Sequence, residues 1–223
     1  MPTDQTRSAI LAAAERLYAD RGFGDVTLRD IVAEANVNLA AVNYHFGSKD
    51  ELIAELFVTR SLASNRERLN ELRLAEEAGG GRADINAILR ALVGPTLRGC
   101  LGPERARSTA ARFMIRASIE SVSPIRRVKN REVDHLRKFA AAVRRSLPDV
   151  SEVDLYWGLH FALAMAHQTI RDSERLTKLS EGKCDLDDVA GIIARVVTVS
   201  VKALTGGAVP GKAPARLVAR GTR

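Results

Sequence analysis

Cysteine is scarce in this chain of 223 residues: Cys100 and Cys184 are the only two. Two thiols 84 positions apart cannot build a disulfide scaffold and make no metal-ligand pair, so free thiols are expected. Long apolar runs are missing too, and no stretch approaches the roughly 18 residues that cross a bilayer. The opening Met1-Pro2-Thr3-Asp4 is polar and acidic, without the basic-then-apolar order of a secretion signal, and a cytoplasmic location is expected. Strand-like alternation bounded by hairpin signals is absent. No nucleophile–base pair, phosphate-binding glycine loop or metal-ligand spacing stands out. Catalysis, a cofactor and a metal site are therefore not expected.

Positive charge, by contrast, is abundant: the formal net charge is +7. Such an excess suits a nucleic-acid partner, because Lys and Arg that neutralise phosphates release counterions. Its location complicates that reading. Residues 1–51 carry five basic side chains against eight acidic ones, whereas the basic excess lies in 98–145 and after Leu204.

Helical periodicity runs through the whole chain and predicts an all-α fold. A first helix is expected over about 4–20, with Ile10, Leu11, Ala14, Leu17 and Tyr18 on one buried face and Gly22 and Gly24 past its end. Thr27, with Asp30 three residues later, predicts an N-cap for a second helix reaching Ala35. Asn36-Val37-Asn38 reads as a very short turn, Asn36 tolerating a positive φ. A third helix follows over Leu39 to Phe46. Ser48 then caps a long fourth helix from Lys49 to about Glu77, roughly 40 Å at 1.5 Å per residue. Further helices are expected at about 84–99, 103–121, 125–146, 151–171 and 187–204, with Pro103 in a first turn and at most one helical turn within 172–186. The stretch 206–223 has no periodic face and is expected to be a disordered basic tail.

Two short helices joined by a three-residue turn match a helix-turn-helix, whose second helix lies in the major groove. Val42 and Phe46 should face inward with Val37, leaving Leu39, Ala40, Asn43, Tyr44 and His45 outside. Ala40 and Ala41 are small enough to touch thymine methyls, and Asn43 can pair with adenine. Tyr44 and His45 can donate to phosphates, Lys49 is placed by the fourth helix's N-terminal amides, and Thr27 and Arg29 could hold the backbone from the other side. The alternative is that Tyr44, His45 and Lys49 merely pack or solvate this surface.

Thr6-Arg7, Ile10 to Ala14, Gly22-Phe23, Thr27 to Ile31, Ala35 to Asn38 and Val42 to Lys49 together resemble the DNA-binding segment of TetR-type regulators. The resemblance implies a domain of residues 1–48 that binds a palindromic operator as a homodimer. It also implies a ligand-binding and dimerisation domain over 49–205, and a repressor released when a small molecule enters that domain. It places Thr27, Arg29, Leu39, Ala40, Ala41, Asn43, Tyr44, His45 and Lys49 on double-stranded DNA. The chain departs from the pattern at Asn36, where Gly is common, and at Ala40 and Ala41, so no operator sequence carries over.

The segments Leu147-Pro148, Leu155 to Phe161 and Phe113-Met114 are more loosely similar to fatty-acid-responsive members of that family. This implies an apolar effector such as an acyl compound, lined by some of Phe113, Met114, Ile115, Trp157, Phe161 and Met165, with Arg112 or Arg116 near its polar head. The competing reading is that these side chains are simply core. The helix at 151–171 is apolar nearly all round and must be covered on several sides; with 187–204 it suits a four-helix bundle between two copies. His160 and His167, seven apart, read as core or interface histidines, and Arg116 with Glu120 as a surface pair. Arg126, Arg127, Lys129 and Arg131 could meet DNA or an acidic effector, a solvated face being the default. A rival function, a helical module that binds protein instead of DNA, rests on the acidic balance of 1–51.

Overall fold

A computed structural model describes residues 2–102, 108–120 and 122–206. Eleven helices are found among them: α1 Pro2–Arg21, α2 Leu28–Ala35, α3 Leu39–Phe46, α4 Lys49–Ala78, α5 Ile85–Cys100, α6 Thr109–Ile119, α7 Ser123–Arg131, α8 Asp134–Ser146, α9 Glu152–Arg171, α10 Ser173–Leu179 and α11 Val189–Thr205. The expectations for Pro103 and for the basic tail beyond Gly206 lie outside the described residues. None of these helices is long and apolar enough to cross a membrane.

Local chemistry sets most boundaries. Ser48, Asp84, Ser108, Ser151 and Asp188 each accept a backbone N–H in the first turn that follows, supplying partners that the helix itself cannot. The single helix expected over 125–146 is instead two, broken at Glu132 and Val133. The break lets one stretch serve two cores: Ile125 and Val128 of α7 enter the N-terminal core, while Phe139, Ala142 and Val143 of α8 enter the second. The polar stretch after Arg171 forms α10, seven residues where one turn was expected.

The N-terminal core gathers Ile10, Ala14 and Tyr18 of α1, Ile31 of α2, Val42 and Phe46 of α3 and the first turns of α4. It is completed from the other body by Phe113 and Ala117 of α6, so α6 is shared between the two halves. The second core packs α5, α8, α9 and α11 around Leu89, Leu92, Leu97, Phe139, Leu159 and Val197. Gly158 of α9 makes room for Leu204 of α11: a Cβ there would lie 2.3 Å from Leu204 Cδ2.

Candidate nucleic-acid interface and effector cavity

The turn between α2 and α3 closes by backbone bonds alone. Asn36 is left-handed at φ 52°, its N–H reaches Ala33 O and the Val37 N–H reaches Val32 O at 3.0 Å, which ends α2 within two residues. Asn38 then caps α3 by accepting the Ala41 N–H at 2.9 Å, a role that the short turn did not suggest beforehand. At the start of α2 the capping box is complete: Asp30 N–H reaches Thr27 Oγ1, and the Asp30 carboxylate accepts the Thr27 N–H at 2.7 Å. Those bonds from Thr27 hold the Asp30 carboxyl below its ordinary pKa.

With both ends pinned, α3 presents a divided surface. Val42 and Phe46 are buried; Leu39, Ala40, Asn43 and Tyr44 are exposed, Tyr44 to 78%. Ala41 and His45 lie half-buried at the edge, and the His45 ring packs edge-on against Tyr44. Thr27 and Arg29 are exposed at the start of α2, on the same domain. Lys49 differs from the rest. Its Nζ donates to the Phe23 carbonyl at 2.8 Å and lies over the Tyr18 ring, so it already holds the loop after α1.

The acidic balance of residues 1–51 has a structural explanation. Glu15 pairs with Arg60 of α4, Asp20 accepts from Arg112 of α6 at 2.9 Å, and Asp50 and Glu51 lie within 3.8 Å of Arg127 of α7. Glu34 and Asp30 pair with Arg16 and Arg21 within the domain. These carboxylates bind the domain to itself and to the second body, and α3 carries none.

A cavity of about 200 Å³ opens between α4, α5, α6, α7, α8 and α9. Arg68, Asn65, Thr96, Lys129, His135 and His167 give it a polar wall, and Phe57, Met114, Val128 and Leu163 an apolar one. Burial pushes the Arg68 guanidinium down to about 10, and its only hydrogen-bond partners among the described residues are neutral: Asn65 Oδ1 at 3.1 Å and Thr96 Oγ1. His167 lines the cavity and keeps much of its surface in water, while the atoms packed around it desolvate its ring. That desolvation, with Lys129, Arg68 and Arg171 nearby, lowers its pKa to about 4; desolvation and Arg68 do the same for His135.

Of the residues that the fatty-acid likeness singled out, Met114 alone lines this cavity. Phe113 points the other way, fully buried in the N-terminal core with its ring 5.6 Å from that of Phe23. Arg116 and Arg112 turn toward α1, reaching the Asp20 carbonyl and carboxylate respectively. Trp157 and Phe161 stack on each other at 5.4 Å on the outer face of α9, and Ile115 and Met165 pack against the second core. The physical reason is helical rotation: the apolar side chains of α6 and α9 are divided among three surroundings, and composition cannot say which faces a void. The cavity's polar residues on α4 and α8, Arg68 and His135 above all, had no signal in the sequence beyond being polar within helices.

The basic cluster on α7 is likewise divided. Arg127 faces Asp50 and Glu51, Arg131 pairs with Glu132 at 3.1 Å, Arg126 reaches Ser123, and Lys129 lies at the cavity with its Nζ over the Phe57 ring. Arg116 does lie near Glu120, at 3.5 Å, but that carboxylate does more than form a surface pair, since it also accepts the Phe23 N–H. Among the described residues no cluster of three or more His, Cys, Asp or Glu is placed to hold a metal ion.

Known proteins share both halves of this architecture. Residues 10–56 match the tetR family of bacterial regulatory proteins, and residues 90–202 match the tetracyclin repressor-like C-terminal domain. The HTH-type transcriptional repressor Rv3405c of Mycobacterium tuberculosis is 46% identical over 55 residues, which are 24% of this chain and 29% of that protein. The HTH-type transcriptional regulator BetI of Agrobacterium fabrum is 35% identical over 83 residues, 37% of this chain and 39% of its own. These matches thus span well under half the length of either relative. A TetR family transcription regulator from Marinobacter aquaeolei VT8 has the same fold, with a TM-score of 0.60 at 14% identity over 87% of this chain and 95% of its own. With one half matching the family's helix-turn-helix and the other its C-terminal domain, the chain belongs to the tetR family of bacterial regulatory proteins.

Proposed function

We propose that two copies of this chain bind a palindromic DNA operator as a repressor, each placing α3 in the major groove, and that a small molecule entering the cavity releases them. The division of α3 carries the reading. Val42 and Phe46 anchor the helix in the core, while Asn43 and Tyr44 stand exposed on a helix that carries no carboxylate. Asn43 is suited to paired hydrogen bonds with an adenine edge, and Tyr44, His45, Thr27 and Arg29 to phosphate oxygens. Leu39, Ala40 and Ala41 allow close approach. Lys49 acts mainly by fixing the loop after α1, since its amine is already bonded there.

The dimer would use the outer face of α9, where Val153, Tyr156, Trp157 and Phe161 are exposed beside Val199 of α11. Such an apolar aromatic face fits a second copy, and two-fold symmetry would set two recognition helices about 34 Å apart. A protein-binding module is the weaker reading. Its support was the acidic balance of residues 1–51, and six of those eight carboxylates, Glu15, Asp20, Asp30, Glu34, Asp50 and Glu51, are engaged in ion pairs within the chain.

Titrating the chain into DNA from upstream of its own gene tests this by mobility shift. The expected result is binding that weakens steeply with salt and disappears when one half of a palindrome is scrambled. Binding indifferent to the palindrome would favour the other reading.

A further inference from the structure

We infer that the cavity between α4 and α9 is a site for a small organic anion, a carboxylate with a short apolar body, whose charged group is met by Arg68 and Lys129. This rests on the reading of the chain as an effector-released regulator, and names the chemical class of effector.

The first observation is an unanswered buried charge. Arg68 is 7% exposed, its Nε has no hydrogen-bond partner, and no carboxylate among the described residues lies within ion-pair distance. A guanidinium taken out of water and met only by neutral oxygens is costly to the fold, and an anion delivered to its fork offsets that cost. The second is Lys129 on the same wall, with no ion-pair partner among the described residues, its ammonium over the Phe57 ring and its pKa lowered by desolvation.

The charge count sets the sign. Glu132 also lines the cavity, but Arg131 holds its carboxylate at 3.1 Å. The pKa values of His135 and His167, about 4, leave both rings neutral near pH 7, and burial keeps the Cys100 thiol protonated by raising it to about 11. With that carboxylate already answered by Arg131, Arg68 and Lys129 leave the wall net positive, which suits an organic anion, and the planar guanidinium fork matches a carboxylate. Size suits a short body: at about 30 Å³ per water, the cavity holds roughly seven waters, the space of a benzoate or hexanoate. Leu163, Met114 and Val128 provide its apolar contact.

The test is calorimetry on the full chain with benzoate and hexanoate against benzamide and hexanamide, and with phenyl phosphate. At least one carboxylate should bind tenfold or more tighter than its amide, and that preference should vanish in Lys129→Met and in Arg68→Met. If Arg68→Met fails to fold, Lys129→Met and the charge-keeping Arg68→Lys carry the test, the latter retaining part of the preference. Equal binding of acid and amide, no binding of either acid, a preference unmoved by Lys129→Met, or tighter binding of phenyl phosphate would each overturn the assignment. Operator binding measured on the same sample separates the two readings. DNA bound with no carboxylate bound sinks the ligand class alone, and carboxylate bound with no DNA bound sinks the regulator.

Discussion

The Glu120 carboxylate accepts the backbone N–H of Phe23 at 2.8 Å, joining residues 97 positions apart at the seam between the two bodies. Gly22 makes room for it. Its φ is +87°, and a Cβ there would lie 2.5 Å from Glu120 Oε1. Around that bond, Arg112 and Arg116 reach Asp20, and Phe113 packs on Phe23. Met114 and Ser118 on the same helix α6 line the cavity. One helix therefore touches both the candidate effector site and the end of α1.

Glu120→Ala should cost about 1–3 kcal/mol in urea unfolding, because it removes a charged acceptor and leaves a part-buried N–H without one. Gly22→Ala should cost about 1–2 kcal/mol from its left-handed backbone alone, plus the displacement of Glu120. The double variant should lose less than the two single losses combined, by about 0.5 kcal/mol or more, since taking away the Glu120 carboxylate also clears the space that a Cβ at position 22 needs. Strict additivity would show that Gly22 and Glu120 act independently.

On the DNA side, Tyr44→Ala should weaken binding to every operator variant alike while changing stability by no more than about 0.5 kcal/mol, as its side chain is largely exposed. Asn43→Ala should relax preference at one operator position by about 1–3 kcal/mol. Lys49→Ala is expected to lower the melting temperature as well as the affinity, because its Nζ holds the Phe23 carbonyl. Anisotropy titrations over an operator panel, paired with thermal melts, distinguish the three patterns.

Acid should destabilise the fold through the cavity histidines. Their pKa falls from 6.5 in the unfolded chain to about 4 in the folded one, chiefly by desolvation. Lys129, Arg68 and Arg171 add to this at His167. At His135 Arg68 adds to it, while Glu132 and Asp134 oppose it. Between those two pH values the unfolded state binds more protons, so this contribution is fully present above about 6.5 and is lost as pH falls toward about 4. Melting curves in that window should steepen downward for the wild type and flatten for His135→Gln/His167→Gln.

Charge placed on the outer face of α9 should separate the copies. Trp157→Glu with Phe161→Glu is expected to give a monomer by sedimentation with helix content unchanged, since both rings are about half exposed in the single chain. Operator affinity should then fall by about 10²–10⁴, the gain that a second linked contact brings. A double variant that stays dimeric would move the interface elsewhere.

What the sequence by itself determined is local: helix starts at Thr27, Ser48 and Ser151, the left-handed Asn36, and the split of α3 into buried Val42 and Phe46 and exposed Asn43 and Tyr44. Caps, turns and helical phase are settled within a few residues, where short-range sterics and hydrogen bonding act. Tertiary structure alone decided the rest. It sent Phe113 into the N-terminal core and Arg116 to α1, divided α7 from α8 between two cores, and brought Arg68, Lys129 and His167 to one void from three helices. Burial, desolvation and the want of a counter-ion belong to the assembled packing, in which residues 61 positions apart, Arg68 and Lys129, become neighbours of one cavity.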